Sequence, residues 1–177
     1  MNFHHIQSIV SNWSGGSTTQ LYIYPANATL QELNFDIRIS TAVIEVESSD
    51  FTKFKGYQRL IFPLEGMLTL QHDQNKAYQI QPFELATFNG ESDTTGQGKV
   101  IDFNVIFKPS ISPHVTIKEL SNQEEYQFEL NKGLVYCVNG CVEIAGEIVS
   151  EKNAFFGTDI QQKIKTDQNT LLIIVKW

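Results

Sequence analysis

Long apolar runs, positive charge, cysteine and helical periodicity are all scarce in this chain of 177 residues. The longest apolar run, residues 171–175, has the length of a strand and falls far short of the roughly 20 residues that cross a bilayer as a helix. Thirteen Lys and Arg against twenty Asp and Glu leave a formal charge of −7, the wrong sign for a protein that grips phosphate backbones. Neither a nucleic acid nor a membrane is therefore expected as a partner. Two cysteines, Cys137 and Cys141, make no disulfide framework and are expected as small buried hydrophobes. Four histidines (His4, His5, His72 and His114) occur without an H-x-H, H-E-x-x-H or C-x-x-C spacing, so no metal and no cofactor is expected. No G-x-S-x-G elbow is present, and no catalytic residue is assigned. The start, Met1-Asn2-Phe3-His4-His5, lacks a charged segment followed by an apolar one, which points to a cytoplasmic protein.

What the chain does have is strand-forming sequence. Hydrophobic residues make up 41% and charged residues 19%, enough apolar material for a real core. Short alternating or apolar stretches recur at residues 21–24, 35–46, 60–70, 100–107, 134–148 and 171–176. Turn formers separate them, among them Gly56, Gly66, Asn89-Gly90, Gly96 to Gly98 and Asn139-Gly140. Short helical turns are expected only near residues 30–33 and 122–126. Many short strands with glycine-rich turns make a sandwich or a barrel.

An internal repeat sharpens that expectation. Residues 60–70, LIFPLEGMLTL, align without a gap on residues 134–144, LVYCVNGCVEI, with Gly66 over Gly140. Two copies of one β unit imply two lobes. Taken as a two-residue hairpin, Glu65-Gly66 pairs Leu64 with Met67, Phe62 with Thr69 and Arg59 with His72. One face then carries Arg59, Ile61, Pro63, Leu68, Leu70 and His72, and the matching face of the second copy is apolar. That face is placed inside the lobe, with Arg59 and His72 at one end of it.

A guanidinium in an apolar interior needs a partner, because burying it alone is very costly. Two partners are open: a carboxylate of the protein, or a ligand carboxylate held in a bidentate fork. Alternation elsewhere supplies neighbours. Arg38 and Ser40 share one face of their strand, as do Asp102 and Asn104 of theirs; each set reads either as a wet sheet face or as a polar pocket lining. Arg38 is either a second cation of the pocket or a partner of Asp102. Trp13-Ser14-Gly15-Gly16-Ser17-Thr18-Thr19 reads as a plain turn or as an anion-binding loop; it lacks the P-loop spacing.

The repeated strand-Glu-Gly-strand unit resembles the cupin barrel, and its second copy a bicupin. The stretch Phe51-Thr-Lys-Phe-Lys-Gly-Tyr-Gln-Arg59, where metal-bearing cupins carry histidines, has none. More specifically, four segments in order resemble the HutD/Ves family: the Trp13-to-Thr19 loop; Phe35-Asp-Ile-Arg-Ile-Ser40; Phe51 to Arg59 with Leu64-Glu-Gly66; and Asp102-Phe-Asn-Val105. Ser14 and Ser17 stand where the family usually has Asn and Gly, and Gln20 where it has Arg. The resemblance covers roughly the first 107 residues. It implies a protein of bacterial histidine utilisation that restrains pathway expression by binding a metabolite such as urocanate or formylglutamate; the other branch of the family is associated with stress.

The fold expected is therefore all-β: a bicupin of two stacked antiparallel lobes in one compact unit, residues 1–108 and a shorter lobe at 109–177 after a Pro/Ser linker. The expected site lies in the first lobe. Arg59 anchors a small carboxylate metabolite; Asn104, Ser40, Arg38, Gly15, Gly16, Thr18, Asp102 and His72 supply polar contacts; Trp13 forms an apolar wall. Two rival functions stand beside a metabolite-binding protein. One is a metal-independent isomerase or hydrolase with His72 or Asp102 as general base; the other is an interaction protein without a ligand. Open strand edges make a homodimer a further expectation.

Overall fold

The computed structural model describes the backbone of residues 3–5 and residues 8–177 in full. The side chains of His4 and His5, and the reading of the terminus from Met1 to His5, lie outside the fully described residues. The strands run β1 (Phe3–His5), β2 (Ile9–Trp13), β3 (Gly16–Tyr24), β4 (Ile37–Ile44), β5 (Ser48–Asp50), β6 (Gln58–Glu65), β7 (Leu68–His72), β8 (Tyr78–Ile80) and β9 (Ala86–Asn89). They continue as β10 (Thr94–Gln97), β11 (Val100–Phe107), β12 (His114–Leu120), β13 (Glu125–Asn139), β14 (Cys141–Ile144), β15 (Glu147–Ser150), β16 (Ala154–Lys165) and β17 (Thr170–Lys176). No helix occurs among the described residues; of the segments expected as helical turns, residues 30–33 and 122–123 are turns without a helix, and Glu125 and Tyr126 already belong to β13. Among the described residues no helix is long and apolar enough to cross a membrane.

Residues 8–111 form one compact unit. Its large sheet has the order β2-β3-β4-β11-β6-β9 and its small sheet β5-β10-β7-β8. Ile44, Ile61, Ala86 and Val100 from the first meet Leu68, Leu70 and Ile80 from the second, with Val46, Phe51 and Phe88 at the margin. Each Ile, Val or Leu of this cluster contributes about 1.5–3 kcal/mol when fully withdrawn from water. A second cluster, Ala28, Phe35, Phe54, Tyr57 and Ile106, closes one end. There the Tyr57 hydroxyl meets the carbonyls of Leu33 and Phe35 at 2.8 and 2.6 Å, pinning the 51–57 loop.

Residues 112–177, with β1, form the other unit. It has the sheet β1-β16-β13-β17-β12 and the hairpin β14-β15. Phe128, Leu130, Val135, Val142, Ile144, Val149, Phe155 and Leu172 are among its core residues. Cys137 is part of that core and Cys141 is half-buried; both are free thiols. Burial pushes the Cys137 thiol up to about 12.

The repeat is real at the level of backbone, but its turn is not a hairpin. β6 pairs with β11 and β9, whereas β7 pairs with β10 and β8. Glu65-Gly66 therefore hands the chain from the large sheet to the small one instead of folding it back on its neighbour. Asn139-Gly140 does the same between β13 and β14. Both glycines take left-handed φ, 80° and 81°. Each follows a bulge: Leu64 has no partner between Pro63↔Asp102 and Glu65↔Ile101, and Val138 has none between Cys137↔Leu172 and Asn139↔Leu171. Leu64 and Val138 are equivalent in the repeat. The inward face expected for Arg59, Ile61, Leu68 and Leu70 holds, because facing strands of two sheets present their interior rows to one another just as a hairpin face would.

Candidate functional site

Register on the large sheet builds the site. Ile106 of β11 pairs with Arg38 on β4 and with Arg59 on β6, so the three side chains share one face. The next rows on that face are Asn104 opposite Ser40 and Asp102 opposite Ala42. Thr18 opposite Ala42, and Ser11 opposite Thr18, carry the face outward, with Trp13 at its edge. A cavity of about 220 Å³ lies on this face and is closed from the other side by residues 49–52 and Phe54. Pockets for drug-sized molecules run to roughly 300–1,000 Å³, so this one suits a small metabolite.

The polar face is not wet. Arg38 and Arg59 are each 6% exposed, Asp102 and Ser40 2% and Asn104 8%. Three faces of aromatic rings surround the Arg59 guanidinium: Phe51 at 4.7 Å, Phe88 at 5.5 Å and Phe54 at 5.6 Å from its central carbon. Such contacts stabilise a desolvated cation. Its hydrogen bonding is poor by contrast. Nη1 donates to the Thr52 carbonyl at 3.4 Å, and Nε is buried with no partner. Arg38 is held by neutral groups, Nε donating to Gln20 Oε1 at 2.9 Å and Nη1 to Ser40 Oγ at 3.2 Å. Gln20, where the resembled family usually has Arg, is thus an acceptor for Arg38.

Neither guanidinium forms an ion pair among the described residues. The register explains why Asp102 pairs with neither. It lies four residues along β11 from Ile106, about 13 Å at strand rise. Asp36 is taken by Lys108 at 2.8 Å. Asp50, on the cavity wall, is exposed and accepts from Thr95 Oγ1. Burial dominates the electrostatics. It lowers Arg38 to about 10, and Arg59 to about 10 against a raising influence of Asp102. It raises the Asp102 carboxyl to about 7, with Arg59 pulling the other way. Asp102 Oδ1 and Asn104 Oδ1 are buried without partners.

Of the residues singled out from sequence, Arg59, Arg38, Ser40, Asn104, Asp102, Thr18 and Trp13 come together on this one cavity. Gly15, Gly16 and His72 do not line it. The Trp13 indole lies where a Cβ on Gly15 would sit, so that glycine makes room for the ring. His72 is engaged at both nitrogens, with Thr94 Oγ1 at 2.8 Å and the Tyr78 hydroxyl at 2.9 Å. It also packs on Phe88, 4.4 Å between ring centroids. Burial, with a smaller contribution from Arg59, holds its pKa below the usual imidazole value. The cage of aromatic rings around Arg59 is not legible in strand alternation. Phe88 reaches it by cross-strand pairing and Phe51 and Phe54 from a loop, and only the crowding of Phe51, Phe54 and Tyr57 just ahead of Arg59 hints at it in the sequence. Among the described residues no cluster of three metal-ligating side chains occurs.

The HutD family model matches residues 7–172. An uncharacterized 21.2 kDa protein in the hutC 3′ region of Pseudomonas putida is 39% identical over 79 residues, 42% of this chain. The chain thus spans about two fifths, 41%, of that curated relative. A conserved protein of unknown function from Pseudomonas aeruginosa PAO1 superposes with a TM-score of 0.81 at 18% identity, covering 99% of this chain and 98% of that one. The structure of HutD from Pseudomonas fluorescens SBW25, in a formate condition, superposes with a TM-score of 0.72 at 24% identity, covering 99% and 98%. The same all-β fold recurs in cupin-barrel and pirin proteins.

Proposed function

The chain belongs to the HutD family, and on that premise we propose that it is a metabolite-binding protein of histidine utilisation whose ligand is a small carboxylate such as urocanate or formylglutamate. The relative in a hutC 3′ region supports the association with that pathway. The observation that carries the ligand class is Arg59, a cavity-lining guanidinium that is buried, ringed by aromatics and without a carboxylate partner. A ligand carboxylate supplies the missing counter-charge in a charge-assisted fork. Ser40, whose oxygen is already an acceptor for Arg38, has its own proton to donate, and the Asn104 amide adds a neutral contact. Trp13, Leu30 and Ile106 give the apolar part of the lining. Filling such a site stabilises the folded chain by about 2.7 kcal/mol at a ligand concentration one hundred times Kd.

Thermal-shift measurements with urocanate, formylglutamate, formate and other small carboxylates test this. Wild type is expected to rise in Tm with at least one of them and Arg59→Ala with none. A folded wild type that responds to no carboxylate removes the reading. Asp102, a buried carboxyl on the cavity wall whose pKa sits near 7, favours a second reading as general acid or base in a metal-independent enzyme. Turnover of any bound carboxylate, lost in Asp102→Asn, distinguishes it from binding alone.

A further inference from the structure

The β2–β3 hairpin lies in the one long stretch of this chain without charge. None of the thirteen Lys and Arg and none of the twenty Asp and Glu comes before Glu32. Arg38, registered beside β3 at Ile23, is buried. β2 is also an edge: among the described residues it pairs with β3 alone. All five of its residues are exposed, Ile9 by 63%, Val10 by 61% and Trp13 by 40%. Alternate N–H and C=O groups of such a strand face outward without a ladder partner.

The other edges of the first unit are defended. β5 and β8 are three residues each; β5 ends on Asp50, and β8 lies between Lys76 and Pro82. β9 is four residues, with Glu84 just ahead and with Ala86 and Phe88 packed on the core. β2 has no charge, no proline and no bulge within its five residues. An exposed apolar edge of that kind is a template for pairing with another strand.

From this edge we infer that a second copy of the chain docks on β2, the two strands pairing antiparallel about a twofold axis at Ser11. Charge selects the occupant. Each copy carries −7, so two copies repel one another and approach at least cost through a neutral face. The strand is also self-complementary. The twofold sets Ile9 opposite Trp13 of the second copy, pairing a β-branched with an aromatic side chain; it sets Val10 opposite Asn12 and Ser11 opposite Ser11. Ser11 and Trp13 line the cavity, and directly opposite residues share a face. Ile9 of the second copy therefore extends the apolar wall that Trp13 makes. The shape of the cavity, not the identity of its ligand, enters here, so an absence of carboxylate binding leaves the dimer untouched.

The test is made without ligand. Analytical ultracentrifugation of wild type at micromolar concentrations is expected to give a species of twice the 20.1 kDa chain mass, and Val10→Lys, with a charge on the edge, the single chain mass. Ile148→Lys, at an exposed apolar residue of the second unit, is the control and is expected to behave as wild type. Ser11→Cys reads the register. On oxidation it is expected to cross-link as a disulfide dimer, because directly paired Cα atoms lie within disulfide reach. Ile9→Cys is expected not to, since the two copies of that residue are offset by four positions, about 13 Å. Wild type treated alike accounts for the native thiols Cys137 and Cys141. A wild type of single chain mass throughout overturns the inference, as does a folded Val10→Lys that still dimerises or a dimer that Ile148→Lys breaks. A cross-link through Ile9→Cys and none through Ser11→Cys overturns the twofold at Ser11. Where Val10→Lys fails to fold, the two cysteine variants decide.

Discussion

Arg38 and Arg59 point into one cavity from strands β4 and β6, with Ile106 of β11 as the residue registered opposite both. Neither has a carboxylate within ion-pair distance among the described residues. A buried cation without a counter-ion is normally selected against by its desolvation cost. Two of them on one face, held by neutral acceptors and aromatic rings, are the observation on which the proposed anion site rests.

The arrangement implies a conflict between stability and binding at Arg59. Its Nε is buried without a partner, and its one hydrogen bond is long. Methionine has similar reach, no charge, and packs well against Phe51, Phe54 and Phe88. Arg59→Met is therefore expected to stabilise the ligand-free protein by about 1 kcal/mol, in the manner of buried charges replaced by apolar residues. At this chain length that is a rise of about 2–4 °C in Tm. The comparison belongs at pH 6, where Asp102 is mostly neutral. The same variant is expected to show no thermal shift with carboxylates. A loss of more than about 2 kcal/mol would instead make Arg59 a structural residue.

Asp102 gives the site a pH dependence whose sign follows from its burial. Its carboxyl is raised from 3.8 to about 7 in the folded chain. Between those values the folded state holds a proton that the unfolded state has released. The stability from this group is full below pH 3.8 and is lost as pH rises through 7. From pH 5 to pH 8 the loss amounts to about 2.5 kcal/mol. Asp102→Asn mimics the neutral acid and is expected to flatten that part of the stability profile, gaining on wild type at pH 8 and matching it near pH 4. Affinity for carboxylates is expected to fall above pH 7 in wild type, because an ionised Asp102 repels them, and to stay level in the variant. Denaturant unfolding and calorimetry at pH 5 and pH 8 measure both effects; parallel profiles for the two proteins would refute the assignment.

Much of this site is legible in strand alternation. Period two alone places Arg38 with Ser40 and Asp102 with Asn104. The bulge at Leu64 lies beyond Arg59, so it leaves the inward face of that residue unchanged. Alternation cannot say whether a polar face meets water or a second sheet. The answer here depends on the small sheet and the 51–54 loop, which close over Arg38, Ser40 and Asn104. Nor can a Gly after a strand say which strand receives the chain next. Glu65-Gly66 signals a reversal equally well for a hairpin and for a passage between sheets, and only the competing pairings β11 with β6 and β10 with β7 decide it. Phe88 joins the Arg59 cage through its cross-strand register, a contact between residues 29 positions apart in the sequence that local pattern does not encode.

The passage between sheets is itself open to test at Gly66. Its φ of 80° is costly for any residue with a Cβ, and an added Cβ would come within 2.7 Å of the Lys99 carbonyl oxygen. The backbone there opens β11, which carries Asp102 and Asn104, so it cannot yield without disturbing the site. Gly140 repeats the situation in the second unit, with φ 81° and the Asn169 carbonyl oxygen 2.7 Å from the added carbon. Gly56 provides the control, because its φ is 82° but nothing lies within 4 Å of an added Cβ. Gly56→Ala is expected to cost about 1 kcal/mol from left-handed strain alone. Gly66→Ala and Gly140→Ala carry the same strain plus a backbone clash, and are expected to cost about 2–4 kcal/mol each. Urea unfolding of the three variants gives the comparison. Equal losses would mean that the approach to Lys99 and Asn169 relaxes freely and that the turns need only a left-handed residue. The larger losses at 66 and 140 would show that the two halves of the repeat share a turn in which glycine is required by contact as well as by conformation.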